Sequence, residues 1–374
     1  MATIALPRLR LPTASFKLAA LTSPRAGLAA ATVLFVSMVV AMVAILGPIL
    51  GGRADPRSLE AALAKAPPGW RTALKPARAP THLYADVVRL SERPLEGRTA
   101  PTAARVTGPV YAILAGDSLP AAPIIGFFTS GPNGPLPIIA QDGRTPAQAY
   151  ARPFRANGRP KLALVIGGLG LDAAATHRAI ETLPPQVTLA FVVYADGLQS
   201  WIDMARARGH EVLLETPMEP LDYPDNDPGP YALMAESPAP ETIKRLEWVL
   251  SRATGYFGLA NYQGARFLAN DAAYGAFASS VRARGLAFID DGTAIRRGGG
   301  VPRASAERTI DEQLAGPAID QQFAALEAGA LQHGQALGSG FAYPVTLERV
   351  SRWSAEVEQR GFQLAPASAL LVQK

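Results

Sequence analysis

The sequence contains no cysteine, and only four histidines occur among its 374 residues. The absence of cysteine excludes disulfides, thiolate metal ligands and cysteine nucleophiles, although it does not assign a cellular compartment. The chain also lacks any block of Lys and Arg, so its formal net charge of +5 is not concentrated as nucleic-acid binding requires. We therefore expect no nucleic-acid partner.

One stretch, Ala26 to Gly52, lacks charge altogether. As a helix, Gly27 to Leu50 would be roughly 36 Å long at about 1.5 Å per residue, which is enough to cross a bilayer. Residues 1–26 before it carry four basic side chains and no acidic one, so the positive-inside rule predicts a cytoplasmic N-terminus. A cleaved signal peptide is the alternative, but the apolar run is longer than a signal-peptide core and has no A-x-A exit. The prediction is a single transmembrane helix at 27–50.

Residues 51–158 lack a regular hydrophobic period and are rich in Pro, Ala and Gly. This composition is typical of a stem or linker that holds the following domain away from the membrane. Short strands are predicted only at 83–90 and 137–140.

From 159 to 374, apolar segments typical of strands alternate with segments of helical spacing. This alternation predicts an α/β fold with a parallel sheet that is covered on both faces or closed as a barrel, and seven or eight βα units favour the (β/α) barrel. The predicted strands are 162–166, 187–193, 211–214, 256–260, 286–290, 309–310, 336–341 and 362–364. The predicted helices are 173–183, 198–208, 240–253, 271–284, 319–333 and 346–360.

The functional groups of such a barrel lie just after the C-terminal ends of its strands. None of the four histidines stands there, because His82 is in the predicted stem, His177 and His333 are in predicted helices and His210 precedes a strand. The residues that do follow strands are Gly167-Gly168, Glu215, Asn261 to Gly264, Asp290-Asp291 and Gly340 to Ala342.

The glycines of Gly167 to Gly170 do not form a G-x-G-x-x-G motif, so a tight turn is favoured over a phosphate-binding loop. No G-x-S-x-G elbow follows a strand, which argues against a serine hydrolase. Among the carboxylates, the acids of 222–227 are interpreted as turn formers among prolines. Glu215 and Asp290 are the candidates for acid or base chemistry, because both stand at predicted strand ends.

With these residues in place, the domain from about 160 onward resembles the divergent polysaccharide deacetylase family, a bacterial envelope branch of the NodB-like carbohydrate esterases. The most specific matches are EVLLETPMEP at 211–220 and DYPDNDPGP at 222–230. Further matches are 162–170, 187–194, 258–267, 285–290, 343–349 and 364–370.

The resemblance implies a distorted (β/α)7-8 barrel whose active members hydrolyse acetyl groups on polysaccharides with a metal held by aspartate and histidine. This sequence departs from that pattern at most polar positions. Gly167-Gly168 takes the place of an Asp-Asp pair in the family pattern. Histidines of that pattern are replaced by Thr216, Tyr262 and Phe341. Asp290 alone remains from that set, so we expect no metal site and no cofactor.

Other matching residues shape a cleft, either by maintaining loop geometry or by contacting a ligand. The cleft residues are Gly167, Gly168, Pro217, Met218, Glu219, Asn261, Gly264 and Arg266. Together, the predicted anchor and the resemblance predict a protein of the bacterial inner membrane with a periplasmic domain that binds a cell-envelope glycan or an envelope protein. The alternatives are a scaffold that only docks envelope proteins, and an active deacetylase with a rearranged site built on Glu215, Glu219 and Asp290, which would need zinc or another divalent metal.

Overall fold

A computed structural model of the chain describes residues 118–294 and 298–372. The predicted cytoplasmic segment, the predicted helix at 27–50, the predicted strand at 83–90 and His82 lie outside the described residues. Within those ranges, none of the helices combines the length and apolar character that a bilayer crossing requires.

The described part begins with a segment that packs against the barrel-like domain. Strands β1 (Phe128–Gly131) and β2 (Gly134–Pro137) form an antiparallel hairpin. Helix α1 (Pro146–Tyr150) follows, and the Thr145 side chain caps it by accepting a hydrogen bond from Gln148 N. Residues 118–158, the last part of the predicted stem, are therefore ordered against the domain.

Arg206 fixes this segment in place. The side chain is 1 % exposed and donates hydrogen bonds to the carbonyl oxygens of Pro120 at 2.9 Å, Tyr150 at 3.1 Å and Gly255 at 2.9 Å. Its guanidinium also lies over the Tyr150 ring, 5.0 Å from the centroid. A buried guanidinium spreads several donors in a plane, so one side chain satisfies carbonyls from separate parts of the chain.

The domain itself consists of a nine-stranded parallel sheet with helices between the strands. Its strands are β3 (Lys161–Leu169), β4 (Thr188–Val192), β5 (Val212–Met218), β6 (Gly258–Gln263), β7 (Ala287–Asp290), β8 (Arg303–Ser305), β9 (Arg308–Thr309), β10 (Gln335–Phe341) and β11 (Gln363–Leu364). Its helices are α2 (Ala173–Thr182), α3 (Leu198–Ala207), α4 (Ala239–Leu250), α5 (Ala265–Ala269), α6 (Asp271–Ala283), α7 (Gly316–His333) and α8 (Pro344–Glu356), and a short 3₁₀ helix (Ala367–Leu370) follows β11.

The sheet curls, because its two edge strands belong to one short segment. The strand order is β8-β7-β6-β5-β4-β3-β10-β9, with β11 beside β3, so β8 and β9 stand at opposite ends of the order. Between them, Ala306 N donates to Asp290 O at 2.7 Å and Glu307 N donates to Leu337 O at 2.8 Å. The predicted parallel α/β sheet is confirmed in this curled form. The predicted pattern omitted β1, β8, α1 and α5, and the strand predicted at 137–140 overlaps β2 only at Pro137.

Side chains alternate between the inside of the curl and the helices outside. Ala163 and Val165 of β3 face inward, and Leu164 and Ile166 pack under the helices. Alanine recurs inside, because a curled sheet leaves little room for side chains there.

The N-terminal end of the curl is closed by a buried carboxylate. Glu211 accepts hydrogen bonds from Thr188 Oγ1 at 2.7 Å, Arg152 N at 3.0 Å and Ser368 N at 3.0 Å, and burial raises the pKa of its carboxyl. The 3₁₀ helix lies across this end.

Candidate functional site

A cavity of about 90 Å³ opens at the C-terminal ends of the strands. Residues from β3, β4, β5, β6, β7, β9 and β10 line it. Of the predicted site residues, Gly167, Glu215, Asn261 and Asp290 line the cavity. Strand ends thus position these groups, as expected for a parallel sheet of this kind.

Glu215 lies inside the mouth of the curl and is 3 % exposed. Its Oε1 accepts a hydrogen bond from the backbone N–H of Gly168 at 2.7 Å. A Cβ atom on Gly167 would collide with the same Oε1 atom. The carboxylate of Glu215 therefore occupies the room that a side chain at position 167 would need.

Tyr262 and Phe341 flank this carboxylate. Burial raises the pKa of the Tyr262 hydroxyl, and the nearby charge of Glu215 acts in the same direction, so the hydroxyl keeps its proton. The ring of Phe341 lies 3.3 Å from the position that a Cβ on Gly168 would take. These two positions therefore contribute a hydroxyl and an apolar ring to the site.

Asp290 is 1 % exposed and holds the loop after β7. Its Oδ1 accepts hydrogen bonds from Gly292 N at 2.9 Å and Ala294 N at 3.0 Å, and its Oδ2 accepts one from Ser305 Oγ at 2.6 Å. Burial raises the pKa of the Asp290 carboxyl, and these hydrogen bonds oppose that rise. Asn261 supports the same loop by accepting a hydrogen bond from Asp291 N at 3.0 Å.

The other predicted cleft residues, Pro217, Met218, Glu219, Gly264 and Arg266, are not among those that line the cavity. Glu219 accepts a hydrogen bond from Ala235 N at 2.6 Å and lies 3.2 Å from Arg266 Nη1. Gly264 has a positive φ of 99°, and a Cβ there would lie 2.8 Å from Met218 Cβ. The Pro217 carbonyl accepts a hydrogen bond from Leu233 N at 2.9 Å. These contacts maintain the loop that follows β5.

Two further residues near the site were not singled out as site residues, although Gln263 lies in the predicted strand-end segment 261–264. Gln263 lines the cavity with a φ of 58°, an uncommon value for a residue other than glycine. Both of its side-chain amide atoms are buried, and the amide interacts with the Tyr262 hydroxyl. Asp311 is 5 % exposed, and its Oδ2 accepts hydrogen bonds from Phe341 N at 2.7 Å and Thr346 Oγ1 at 2.9 Å.

The residues of this site do not fit a catalytic metal ion. Among residues 118–294 and 298–372, no three His, Asp or Glu side chains are grouped so as to hold a metal. His210 is buried with Nδ1 2.8 Å from Val187 O, His177 packs edge-on against Trp201 and His333 ends α7. The space beside Gly167 is filled by Glu215, so a metal-ligating side chain has no room there.

A curled parallel sheet with a cavity at the carboxyl ends of its strands defines an α/β protein of barrel type. The sequence model described as divergent polysaccharide deacetylase matches residues 164–371, more than half of the chain. The chain belongs to the divergent polysaccharide deacetylase family, which confirms the predicted resemblance.

Among solved structures, an uncharacterized protein from Agrobacterium tumefaciens C58 matches with 37% sequence identity and a TM-score of 0.61, over 63% of this chain and 99% of that chain. The catalytic domain of a peptidoglycan N-acetylglucosamine deacetylase from Eubacterium rectale ATCC 33656 has 15% identity and a TM-score of 0.39, over 61% of this chain and 98% of that chain. The second likeness is too weak to carry an argument. The search of curated proteins gave no match.

Proposed function

We propose that this protein is a membrane-anchored envelope protein whose polysaccharide deacetylase-like domain binds a cell-envelope glycan without hydrolysing it. The observation that carries the proposal is the position of Glu215, whose carboxylate fills the space beside Gly167. A metal-ligating side chain at position 167 would need the space that the carboxylate of Glu215 occupies, so the two exclude each other. Without a metal to activate water, the family's hydrolytic chemistry has no starting point here.

The cavity keeps features that suit a sugar. It combines apolar walls with a few polar groups, the usual composition of a small-molecule site. The amide of Gln263 and the hydroxyl of Tyr262, which lie against each other, bring polar groups to this wall of the cavity. Sugar hydroxyl and amide groups are matching partners for such atoms.

The uncharged segment 27–50 and the basic residues before it support an anchor in a bacterial inner membrane with the domain in the periplasm. A domain in that compartment has access to envelope polysaccharide. An envelope protein is the other partner class, and a scaffold role would follow if glycan binding were absent.

An active deacetylase with a rearranged carboxylate site is the second candidate. Its support is that Glu215 and Asp290 both line the cavity. Glu219, the third carboxylate of that hypothesis, is instead paired with Arg266 in the loop after β5. The hydrogen-bond acceptors of Asp290 are used by its own loop and by Ser305.

The test is equilibrium binding of the full chain in detergent to amino-sugar oligosaccharides, with acetate release measured on the same samples. Gln263→Ala should weaken binding, whereas Gln359→Ala, an exposed glutamine in the turn after α8, should leave it unchanged. Binding without acetate release supports the proposal. Acetate release would establish the deacetylase instead, and the absence of binding to any oligosaccharide would favour the scaffold role.

A further inference from the structure

The end of the sheet opposite the cavity carries a run of basic residues. Residues 143–171, which include α1 and β3, contain five Lys or Arg and no Asp or Glu. Lys161 is the first residue of β3, so the run crosses the domain at the N-terminal ends of the parallel strands. Arg155 and Arg159 are exposed just before it. This end of the domain therefore presents positive charge to its surroundings.

Main-chain carbonyl groups, not carboxylates, hold these basic side chains in place. Arg159 Nη1 donates to Glu358 O at 3.1 Å, and Lys161 Nζ donates to Ala369 O at 3.1 Å. Within the part of the chain that the structure describes, neither side chain forms an ion pair, although Glu358 is an exposed acid at the same end. A carbonyl group fixes the direction of a cation without cancelling its charge. The charges of this end thus stay available to a partner.

Two isoleucines are exposed at the same end. Ile125, before β1, is 92 % exposed, and Ile139, after β2, is 41 % exposed. Their segment is fixed to the domain here, since Ile124 N donates to the Tyr150 hydroxyl at 3.0 Å and Ile139 packs beside Gly285 in the turn before β7. A single exposed apolar side chain is ordinary, but apolar tips beside basic groups are the composition that binds a lipid surface.

These residues together are called the basal surface. Its members are Ile125, Ile139, Arg155, Arg159 and Lys161. The loop after β5, at the other end of the sheet, carries the opposite charge in the exposed acids Asp222, Asp225 and Asp227. An anionic surface attracts the basal surface and repels this loop. The distribution of charge along the strands therefore orients the domain.

The described chain also begins at the basal end. Leu119 N donates to Arg206 O at 2.9 Å, at the end of α3 and beside the turn into β5. The segment with the predicted anchor precedes this point in the sequence. A domain tethered to a membrane meets lipid at a high effective concentration, so a weak attraction is enough to bring the two into contact.

We propose that the basal surface binds anionic phospholipid headgroups, with Ile125 inserted among them, and that the cavity at the strand ends faces away from the bilayer. The proposal rests on the membrane-anchored function and adds a second contact to it. Basic side chains supply the attraction and the isoleucine supplies buried apolar area, and each alone is a weak membrane signal. The orientation leaves the mouth of the cavity open toward envelope polysaccharide.

The experiment measures which end of the domain touches lipid. The full chain is placed in nanodiscs of phosphatidylcholine, with or without an equal part of phosphatidylglycerol, and spin-labelled lipid quenches a fluorophore that contacts the bilayer. Because the chain has no cysteine, Ala156→Cys labels the basal surface alone, and Asp225→Cys labels the opposite end. Both positions are exposed. Quenching should be strong at 156 and weak at 225, it should require phosphatidylglycerol, and high salt should reduce it.

Variants separate the two parts of the contact. Each basic residue near an anionic surface changes the equilibrium roughly fivefold, so Arg155→Gln with Arg159→Gln should lower the docking constant about 25-fold. Lys244→Gln with Arg352→Gln removes the same charge from exposed helix positions and should have no such effect. Ile125→Ser should weaken quenching at 156, whereas Leu331→Ser, at another exposed position, should not. Circular dichroism melting establishes that each variant is folded.

Equal quenching at the two ends, or quenching at 156 that is the same with and without phosphatidylglycerol, would overturn this inference and leave the anchor intact. Quenching that survives the loss of Arg155 and Arg159 would also overturn it. A chain that does not co-elute with the nanodiscs would contradict both the anchor and the basal contact. Glycan binding is measured separately in detergent, so its outcome does not depend on this result.

Discussion

Gly168 donates its backbone N–H to Glu215 Oε1 over 2.7 Å, across the inside of the curled sheet. The neighbouring Gly167 has no side chain, and the carboxylate of Glu215 fills that space. The family resemblance implies two carboxylates at the end of β3. In this structure the carboxylate at that strand end is instead supplied by Glu215 of β5.

Gly167→Ala should destabilise the domain by about 1–3 kcal/mol, because the added methyl group must displace a buried carboxylate in a packed interior. Chemical denaturation of the full chain measures this cost. In the background of Glu215→Ala the same substitution should cost much less, since the two positions share one space. Gly275→Ala in α6 is the control, because a Cβ there meets no atom within 4 Å and alanine favours the helix. Equal costs of Gly167→Ala in both backgrounds would show that the two positions are independent.

Asp290→Ala should lower the free energy of unfolding by about 2–4 kcal/mol, because Gly292 N, Ala294 N and Ser305 Oγ all lose their acceptor. Ser305→Ala removes one of these three hydrogen bonds and should cost correspondingly less. Thermal denaturation of both variants gives the comparison. If Asp290→Ala were as stable as the wild type, the carboxylate would not be a loop-holding residue, and its assignment as a candidate catalytic group would gain weight.

Arg206→Met should cost about 3 kcal/mol of stability, since the buried carbonyl groups of Tyr150 and Gly255 and the partly buried one of Pro120 lose charged donors. The segment 118–150 should also become sensitive to limited proteolysis, because Arg206 joins Pro120 and Tyr150 to the domain. Arg352→Met is the control, since Arg352 forms an exposed ion pair with Glu348 worth about 1 kcal/mol or less. Unchanged proteolysis of Arg206→Met would show that other contacts hold the segment.

The stability of the domain should contain a pH-dependent contribution from His210. Burial lowers the pKa of this imidazole to about 4 in the folded state, against about 6.5 in an unfolded chain. Above pH 6.5 the two states are both neutral and the group contributes nothing. As the pH falls from about 6.5 to about 4, only the unfolded state takes up a proton, so stability falls by up to about 3 kcal/mol.

The measurement is denaturant unfolding from pH 7 to pH 4 for the wild type, His210→Gln and the exposed-site control His177→Gln. The His210 variant should lose less stability over this range than the other two. Glu211, Asp290 and Asp311 act in the opposite direction, because burial raises the pKa of each carboxyl. Since all three proteins share these carboxyls, the difference between them isolates the histidine. Parallel curves for all three proteins would contradict the assignment.

Local sequence patterns were sufficient to predict the six longer helices and most of the parallel strands, since an apolar run such as Leu162 to Ile166 determines its own burial. The ends of the strands were harder to predict. Three strands, β3, β5 and β6, continue beyond their predicted ends through residues such as Gly168, Pro217 and Asn261. Pairing with neighbouring strands keeps these residues in the sheet, and their local preference for turns does not reveal that pairing.

The contacts that define the site were not predictable from spacing. Glu215 was identified from its position at a strand end, but its hydrogen bond to Gly168 joins residues 47 positions apart in the chain. Asp311 follows β9, a strand of two residues with too weak a pattern to draw attention to its end. The packing of 118–158 depends on Arg206, which reads in the sequence as an ordinary basic residue of a helix.

We infer that Glu215 has replaced a catalytic metal site in a domain that still binds glycan. The most direct test is the metal content of the full chain after equilibration with excess Zn²⁺ or Mn²⁺ and removal of free metal, with acetate release from N-acetylglucosamine oligosaccharides measured on the same preparation. We expect substoichiometric metal and no acetate release above that of the Glu215→Ala variant. One bound metal per chain, together with acetate release that the Glu215→Ala substitution abolishes, would contradict it.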